Sequence, residues 1–289
     1  MKRSGVPWRA ATVGVARKFL VSCINNFGMD GKKIYFCANP HSPMKTKSIF
    51  AMMLSLSLVL GACNEKDKQE PDNSGNNSQS GQEETPSFDG DEGAVDGHAW
   101  VNLGLPSGTL WATCNVGANS PEEYGDYFAW GETQPKSSYT SDNLKYYTGF
   151  DEHTDSETYS KYTGSDGKTE LDPDDDVATA NWGNYWRMPN IGDVEELYNK
   201  CTRVWTSQGG INGRLFTGPN GNTLFLPAAG CYDESTLDGD GLYGVYMSNT
   251  RFTDYPCAVH GLYFDSNYEK GDFDLLRYTG LSVRPVVRR

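Results

Sequence analysis

Asn181-Trp-Gly-Asn-Tyr-Trp-Arg-Met-Pro-Asn-Ile-Gly-Asp-Val-Glu-Glu-Leu197 is the stretch whose reading decides the fold. Trp182, Tyr185 and Trp186 put three large aromatics into five residues, too much apolar area to leave in water. Pro189 then punctuates the chain. Asn190 is a good helix N-cap, and Asp193 stands three residues on, the spacing of an approximate capping box. Ile191, Val194, Leu197 and Cys201 follow at helical spacing, with Tyr198 on the flank of the same face. The stretch predicts an aromatic turn that feeds a short amphipathic helix, with Arg187 at the elbow. Trp182, Trp186 and Arg187 are expected to be structural. The guanidinium is expected to stack on Trp186 and pair with a carboxylate, tying the acidic run 172–176 to the start of the helix; Asp193 and Glu195 are the other acids in reach.

Outward from this stretch the signals are mostly β. Residues 100–117 give two short β-like runs around the turn Pro106-Ser-Gly108. Arg214–Thr217 and Thr223–Leu226 flank Gly218-Pro-Asn-Gly221, a hairpin signal because proline presets one turn dihedral and glycine supplies positive φ. Further β runs are expected at 243–248, 258–264 and 282–287. Residues 133–170 are polar and read as a long irregular insertion. One main helix, many short strands and long loops argue for a single α+β domain over 96–289.

Several of these segments also carry a resemblance. Trp186-Arg-Met-Pro189 before an acidic helix resembles the motif of the Fibrobacter succinogenes major paralogous domain, common in secreted and lipid-anchored proteins of Bacteroidetes. More distantly it is similar to the formylglycine-generating-enzyme and C-type-lectin-like superfamily. The runs 105–118, Pro121–Glu132, Phe225–Gly230 and Ser282–Val286 match the same family in order, so the resemblance covers about residues 98–287. It implies a C-type-lectin-like fold, with the termini meeting in one small sheet and irregular loops above. It also implies disulfides Cys114–Cys201 and Cys231–Cys257. The catalytic cysteines of formylglycine-generating enzymes do not carry over: Tyr246–Thr250 holds no cysteine, and Cys257 lacks the expected neighbour. The expectation is therefore a protein that is not an enzyme.

The N-terminal region sets the location. From Met44 the sequence reads as a lipoprotein signal peptide over 44–62: Lys45 and Lys47, the apolar run Ile49–Leu60, then Leu60-Gly-Ala-Cys63. That ending matches a bacterial lipobox, in which Cys63 takes a diacylglyceryl group and becomes the lipid anchor. Residues 1–43 are expected to be an upstream extension of the gene, with Met44 the start; a long leader from Met1 is the alternative. Asn64–Glu70 is similar to the tract that sends Bacteroidetes lipoproteins to the outer face. With 71–95 it makes 63–95 a polar, flexible, disordered tether. The expected location is the cell outer membrane, lipid-anchored and surface-exposed.

Charge narrows the partners. Net charge is −13, but residues 1–63 hold nine of the 25 lysines and arginines and one of the 38 acids, leaving −21 on the rest. Such a body disfavours nucleic acid and anionic membranes, so contact with the membrane is expected through the lipid anchor alone. Cys114, Cys201, Cys231 and Cys257 form an even set in a segment bound for an oxidising compartment, where three pairings are open, as is retention as buried thiols.

Catalytic motifs are sparse. Past Cys63 the chain has His98, His153 and His260, without metal-ligand spacing. Asp172, Asp174, Asp175 and Asp176 form the one dense oxygen cluster, a candidate calcium site. The bland reading is an acidic loop whose last aspartates cap a short helix at Val177–Ala180. Tyr139, Tyr146, Tyr147, Tyr159 and Tyr162 read as exposed aromatic faces suited to sugars or protein partners. The leading expectation is a non-catalytic surface lipoprotein binding an extracellular glycan or protein. The alternative is a structural or tip subunit of a surface appendage, and a formylglycine-generating-type oxidase comes last.

Overall fold

A computed structural model describes residues 86–154 and 156–287. The expected extension 1–43, the expected signal peptide 44–62, the expected anchor Cys63 and the expected tether up to residue 85 lie outside the described residues.

Within them the domain begins earlier than the expected boundary at 96. Strand β1 (Glu92–Val95) pairs antiparallel with β2 (His98–Asn102) through Asp96 and Gly97, which take φ of 50° and 79°. Two consecutive positive φ values make the tight hairpin turn that Asp-Gly favours. The last residues assigned to the tether are thus an edge strand. Phe88 packs beside it, its ring 6.4 Å from Trp100 and 5.9 Å from Tyr185.

β3 (Leu110–Ala112) continues this sheet, and the hairpin β4 (Tyr147–Asp151) and β5 (Ser156–Tyr159) interrupts the insertion expected to be irregular. Then come α1 (Val177–Trp182), β6 (Trp186–Arg187) and α2 (Ile191–Lys200). β7 (Thr202–Gln208), β8 (Ile211–Thr217) and β9 (Thr223–Pro227) form one three-stranded meander. After the small hairpin β10 (Cys231–Asp233) and β11 (Thr236–Asp238), a second meander joins β12 (Tyr243–Arg251), β13 (Ala258–Asp265) and β14 (Glu269–Leu276). β15 (Val286–Val287) returns between β3 and β6, giving the order β1-β2-β3-β15-β6. Early and late strands therefore share one sheet, in a mainly β domain with two short helices among the described residues.

The central stretch folds as its residues dictate. Asn190 Oδ1 accepts from the Asp193 amide and Asp193 Oδ2 from the Asn190 amide, both at 2.9 Å, a reciprocal capping box that starts α2. Val194, Leu197 and Cys201 recur along one face and bury against Leu103, Trp111, Phe216 and Leu226. Trp186 is fully buried; its indole donates to the Val95 carbonyl at 3.2 Å and its ring meets Trp182 edge-on at 5.1 Å. His98 lies flat on Trp182, centroids 3.7 Å apart. Arg187 pairs with Asp193 at 2.5 Å, and Thr109 donates to the other oxygen of that carboxylate at 3.0 Å. The expected link from Arg187 to the acids 172–176 is not formed among the described residues, because Asp193 in the first turn of α2 already holds the guanidinium. The acidic run reaches the stretch by another route, through Asp176 to the Met188 amide at 2.9 Å.

Trp186→Ala should lower stability by about 3–5 kcal/mol through lost packing. Arg187→Ala should cost about 1–3 kcal/mol, since its side chain is 22% exposed and its partner 8%. Urea unfolding checks both, and midpoints equal to the parent's would contradict the scaffold role.

Candidate functional site

Two of the tyrosines expected to face a ligand, Tyr146 and Tyr162, meet instead one of the acids expected to gather calcium, Asp175. Pro173 opens a single 3-10 turn over Pro173–Asp175 that leaves Asp174 exposed and turns Asp175 inward, to 1% exposure. Asp175 Oδ1 accepts from Lys145 Nζ at 2.6 Å and Tyr146 at 2.7 Å; Oδ2 accepts from Lys161 Nζ at 2.5 Å and Tyr162 at 2.6 Å. Asp172 pairs with Lys161 at 2.7 Å and with Lys168. Asp176 caps α1, accepting from the Ala178 and Thr179 amides at 3.0 Å each. The carboxylates of Asp172, Asp175 and Asp176 are thus engaged by ammonium, phenol and amide donors, while Asp174 faces solvent. Among the described residues no three His, Cys, Asp or Glu side chains are grouped to hold a metal ion.

The electrostatics of this cluster are fixed by its contacts. Burial works against the Asp175 carboxylate, yet the bonds from Lys145, Lys161, Tyr162 and Tyr146 outweigh it and hold the group well below the usual carboxylate range. The bond to Asp175 raises Lys145. Lys161 is opposed by burial, but its bonds to Asp172 and Asp175 raise it as well. Burial and then the bond to Asp175 push the Tyr162 phenol up. Near neutral pH the acid is ionised, the amines protonated and the phenol neutral, so these groups offer neither a general base nor an amine nucleophile.

The five tyrosines are anchored rather than displayed. Tyr162 is fully buried, Tyr139 is 1% exposed and Tyr159 8%, while Tyr146 and Tyr147 are half-buried. Tyr139 donates to the Tyr127 carbonyl at 2.5 Å, and Tyr159 donates to Glu157. The expectation of exposed faces fails for Tyr139, Tyr159 and Tyr162, whose phenols find polar partners and whose rings lie inside, while Tyr146 and Tyr147 keep part of their rings at the surface. One of the residues holding them was not foreseen. Arg277, 1% exposed, lies 4.8 Å from the Trp130 ring and 4.3 Å from that of Tyr159, and its Nη2 donates to the Tyr162 carbonyl at 2.8 Å. Burial pushes its guanidinium down to about 10. No local pattern marks it, since that carbonyl lies 115 residues away in sequence.

Among the described residues no disulfide is seen joining Cys114 to Cys201 or Cys231 to Cys257. They occupy separate surroundings. Cys201 packs in the cluster under α2, where burial pushes its thiol up to about 11, whereas Cys231 belongs to a different cluster and lies 3.4 Å from the Tyr243 hydroxyl. Cys114 is partly exposed just past β3.

An open groove of about 280 Å³ lies elsewhere, lined by Glu122, Glu123, Tyr124 and Ile211. A bond from Gln208 at 2.7 Å lowers Glu122, and burial followed by the nearby Asp240 raises Tyr124. The groove therefore offers a fixed carboxylate, a neutral phenol and an aliphatic wall, which suit hydroxyl donors and the apolar face of a sugar or side chain. Nothing in the sequence brings Ile211 beside Glu122; the β7–β8 turn does. Set against family models, curated proteins and solved structures, the chain matches none.

The Asp175 cluster makes a pH prediction. Its native pKa lies below the unfolded value of about 4, so its contribution is complete above that pH and is lost as pH falls toward the native value. Asp175→Asn should cost about 2–4 kcal/mol at pH 7. The gap between variant and parent should narrow below about pH 4. Urea midpoints across pH 2–8 check this, and a gap that stays constant down to pH 2 would contradict it.

Proposed function

We propose that this chain is a lipid-anchored protein of the outer cell surface whose C-type-lectin-like domain binds an extracellular glycan or protein and performs no chemistry of its own. The anchoring half of the reading rests on Leu60-Gly-Ala-Cys63. The binding half rests on one observation, the groove at Glu122, Glu123, Tyr124 and Ile211. A carboxylate beside an aromatic ring is the pairing that recognises a sugar by hydrogen bonds to its hydroxyls and contact with its C–H face. Early and late strands sharing one sheet are what the lectin-like resemblance implies, and they support that assignment.

Two experiments test the two halves. Cys63→Ser should abolish uptake of labelled palmitate and release the protein from the outer-membrane fraction; a variant that stays acylated and membrane-bound overturns the anchor. The full chain on a glycan array, beside a pull-down from outer membranes, tests the binding. Tyr124→Ala and Glu122→Gln should each weaken the recovered interaction about tenfold or more, about 1.4 kcal/mol, with little change in melting temperature. Binding that survives both substitutions removes the groove from the account. Incorporation into a surface filament without any array signal favours the appendage-subunit reading instead.

A further inference from the structure

Arg284 is 1% exposed and bonds to neutral oxygens alone among the described residues. Its Nε donates to Asn115 Oδ1 at 2.7 Å, and its Nη1 to the carbonyls of Thr113 at 2.5 Å and Ala112 at 3.3 Å. No carboxylate pairs with it among the described residues. Its Nη2 has no hydrogen-bond partner there, and neither has the indole nitrogen of Trp111, a side chain 2% exposed. Leaving either donor bare in the interior is costly, and more so for the charged one.

Both side chains line the same small, partly enclosed cavity, of about 10 Å³, room for one small body. Val194, Leu197, Leu226 and Leu262 supply much of the remaining wall. Tyr246 also lines it, but its hydroxyl is committed: it donates to the Pro227 carbonyl at 2.8 Å and accepts from Asn115 Nδ2 at 3.3 Å. The cavity is therefore lined by two residues that each carry an unpartnered buried N–H, one of them cationic, and by apolar side chains.

That wall selects its occupant. A cation would be repelled and a donor would find nothing to donate to. A water could accept from both N–H groups, yet its own two hydrogens would face leucine and valine. A halide accepts from both donors, carries no hydrogens and neutralises the buried charge. Chloride is wider than water, and Met247 in the wall is the residue type that yields most readily. Burial pushes the guanidinium below its ordinary value, a cost that an adjacent negative charge would offset.

We infer that this cavity binds a single halide ion, chloride in natural fluids, between Nη2 of Arg284 and the indole N–H of Trp111. The ion ties the late segment that carries Arg284 to β3, which carries Trp111, and it makes the stability of the central sheet depend on halide. This inference is independent of the surface-binding reading.

The test uses the purified full chain at constant ionic strength, with sodium chloride exchanged stepwise for sodium gluconate. Melting temperature should rise saturably with chloride, as one-site linkage requires. Trp111→Phe keeps the ring but removes one donor, and should shift the chloride dependence at least tenfold toward higher concentration. Crystals grown in sodium bromide should show an anomalous peak within hydrogen-bond distance of both nitrogens. Equal melting in chloride and gluconate overturns the inference. So does a cavity holding a water in the bromide crystal, or a Trp111→Phe protein with the parent's full response. A bromide peak without any chloride effect on melting means an adventitious ion only, which also overturns it. The parent measurements decide the matter even if the variant fails to fold.

Discussion

The carboxylate of Asp176 is the interaction on which the central stretch depends. It is 2% exposed, and its oxygens take the amides of Ala178 and Thr179 at 3.0 Å and of Met188 at 2.9 Å. The first two start α1, and the third fixes where the chain returns after the aromatic turn. Every later placement follows from that return. Trp186 arrives beneath Val95, Arg187 reaches β15, and Asn190 is set to cap α2. A buried anion with three amide donors is a strong tie, because each bond is charge-assisted and water does not compete for it. The tie is local at one end and twelve residues long at the other, so it makes one unit of a short helix and a turn that neither could hold alone.

The same device recurs through the domain. Asp193 joins the capping box to Arg187 and Thr109. Asp175 gathers two lysines and two tyrosines from the insertion, and Arg277 holds the far side of that insertion through Tyr162. Arg284 ties Asn115 into a chain of bonds that continues to the Tyr124 carbonyl, the residue that forms one wall of the surface groove. Buried charge is costly unless its bonds are met, so each of these groups fixes one arrangement of loops that would otherwise have many. A domain built of short strands needs such ties, because few of its ladders are long enough to set their own register.

How much of this was legible in the sequence depended on whether the cause was local. The helix at 191–200 could be read because its cap, its acid at the third position and its apolar period all lie within twelve residues, 190–201. The hairpin around 218–221 could be read because proline and glycine announce the turn, and Thr217 pairs with Thr223 as that turn requires. β1 was missed although Asp96-Gly97 announces it equally well, because the polar run before it drew the boundary too late. Tyr146 and Tyr162 were misread for a different reason: polar neighbours suggest exposure, while Asp175 reaches Tyr146 from 29 residues away and Arg277 reaches the Tyr162 carbonyl from 115. Arg187 was given the right kind of partner, yet the buried acid of the run it was meant to hold, Asp175, is engaged by Lys145 and Lys161, which lie 30 and 14 residues away. The groove was invisible in the sequence, since Glu122 and Ile211 meet only through the fold.

The measurement that tests the central claim most directly is urea unfolding of Asp176→Asn, read together with hydrogen exchange at the Met188 amide. Asparagine keeps the size but sets an NH₂ where one carboxylate oxygen stood, and it removes the charge from every bond. The account predicts a loss of about 2–4 kcal/mol with an unchanged slope, and faster exchange at Met188 than in the parent. An unchanged midpoint with Met188 still protected would contradict it, and would show that the aromatic turn holds itself.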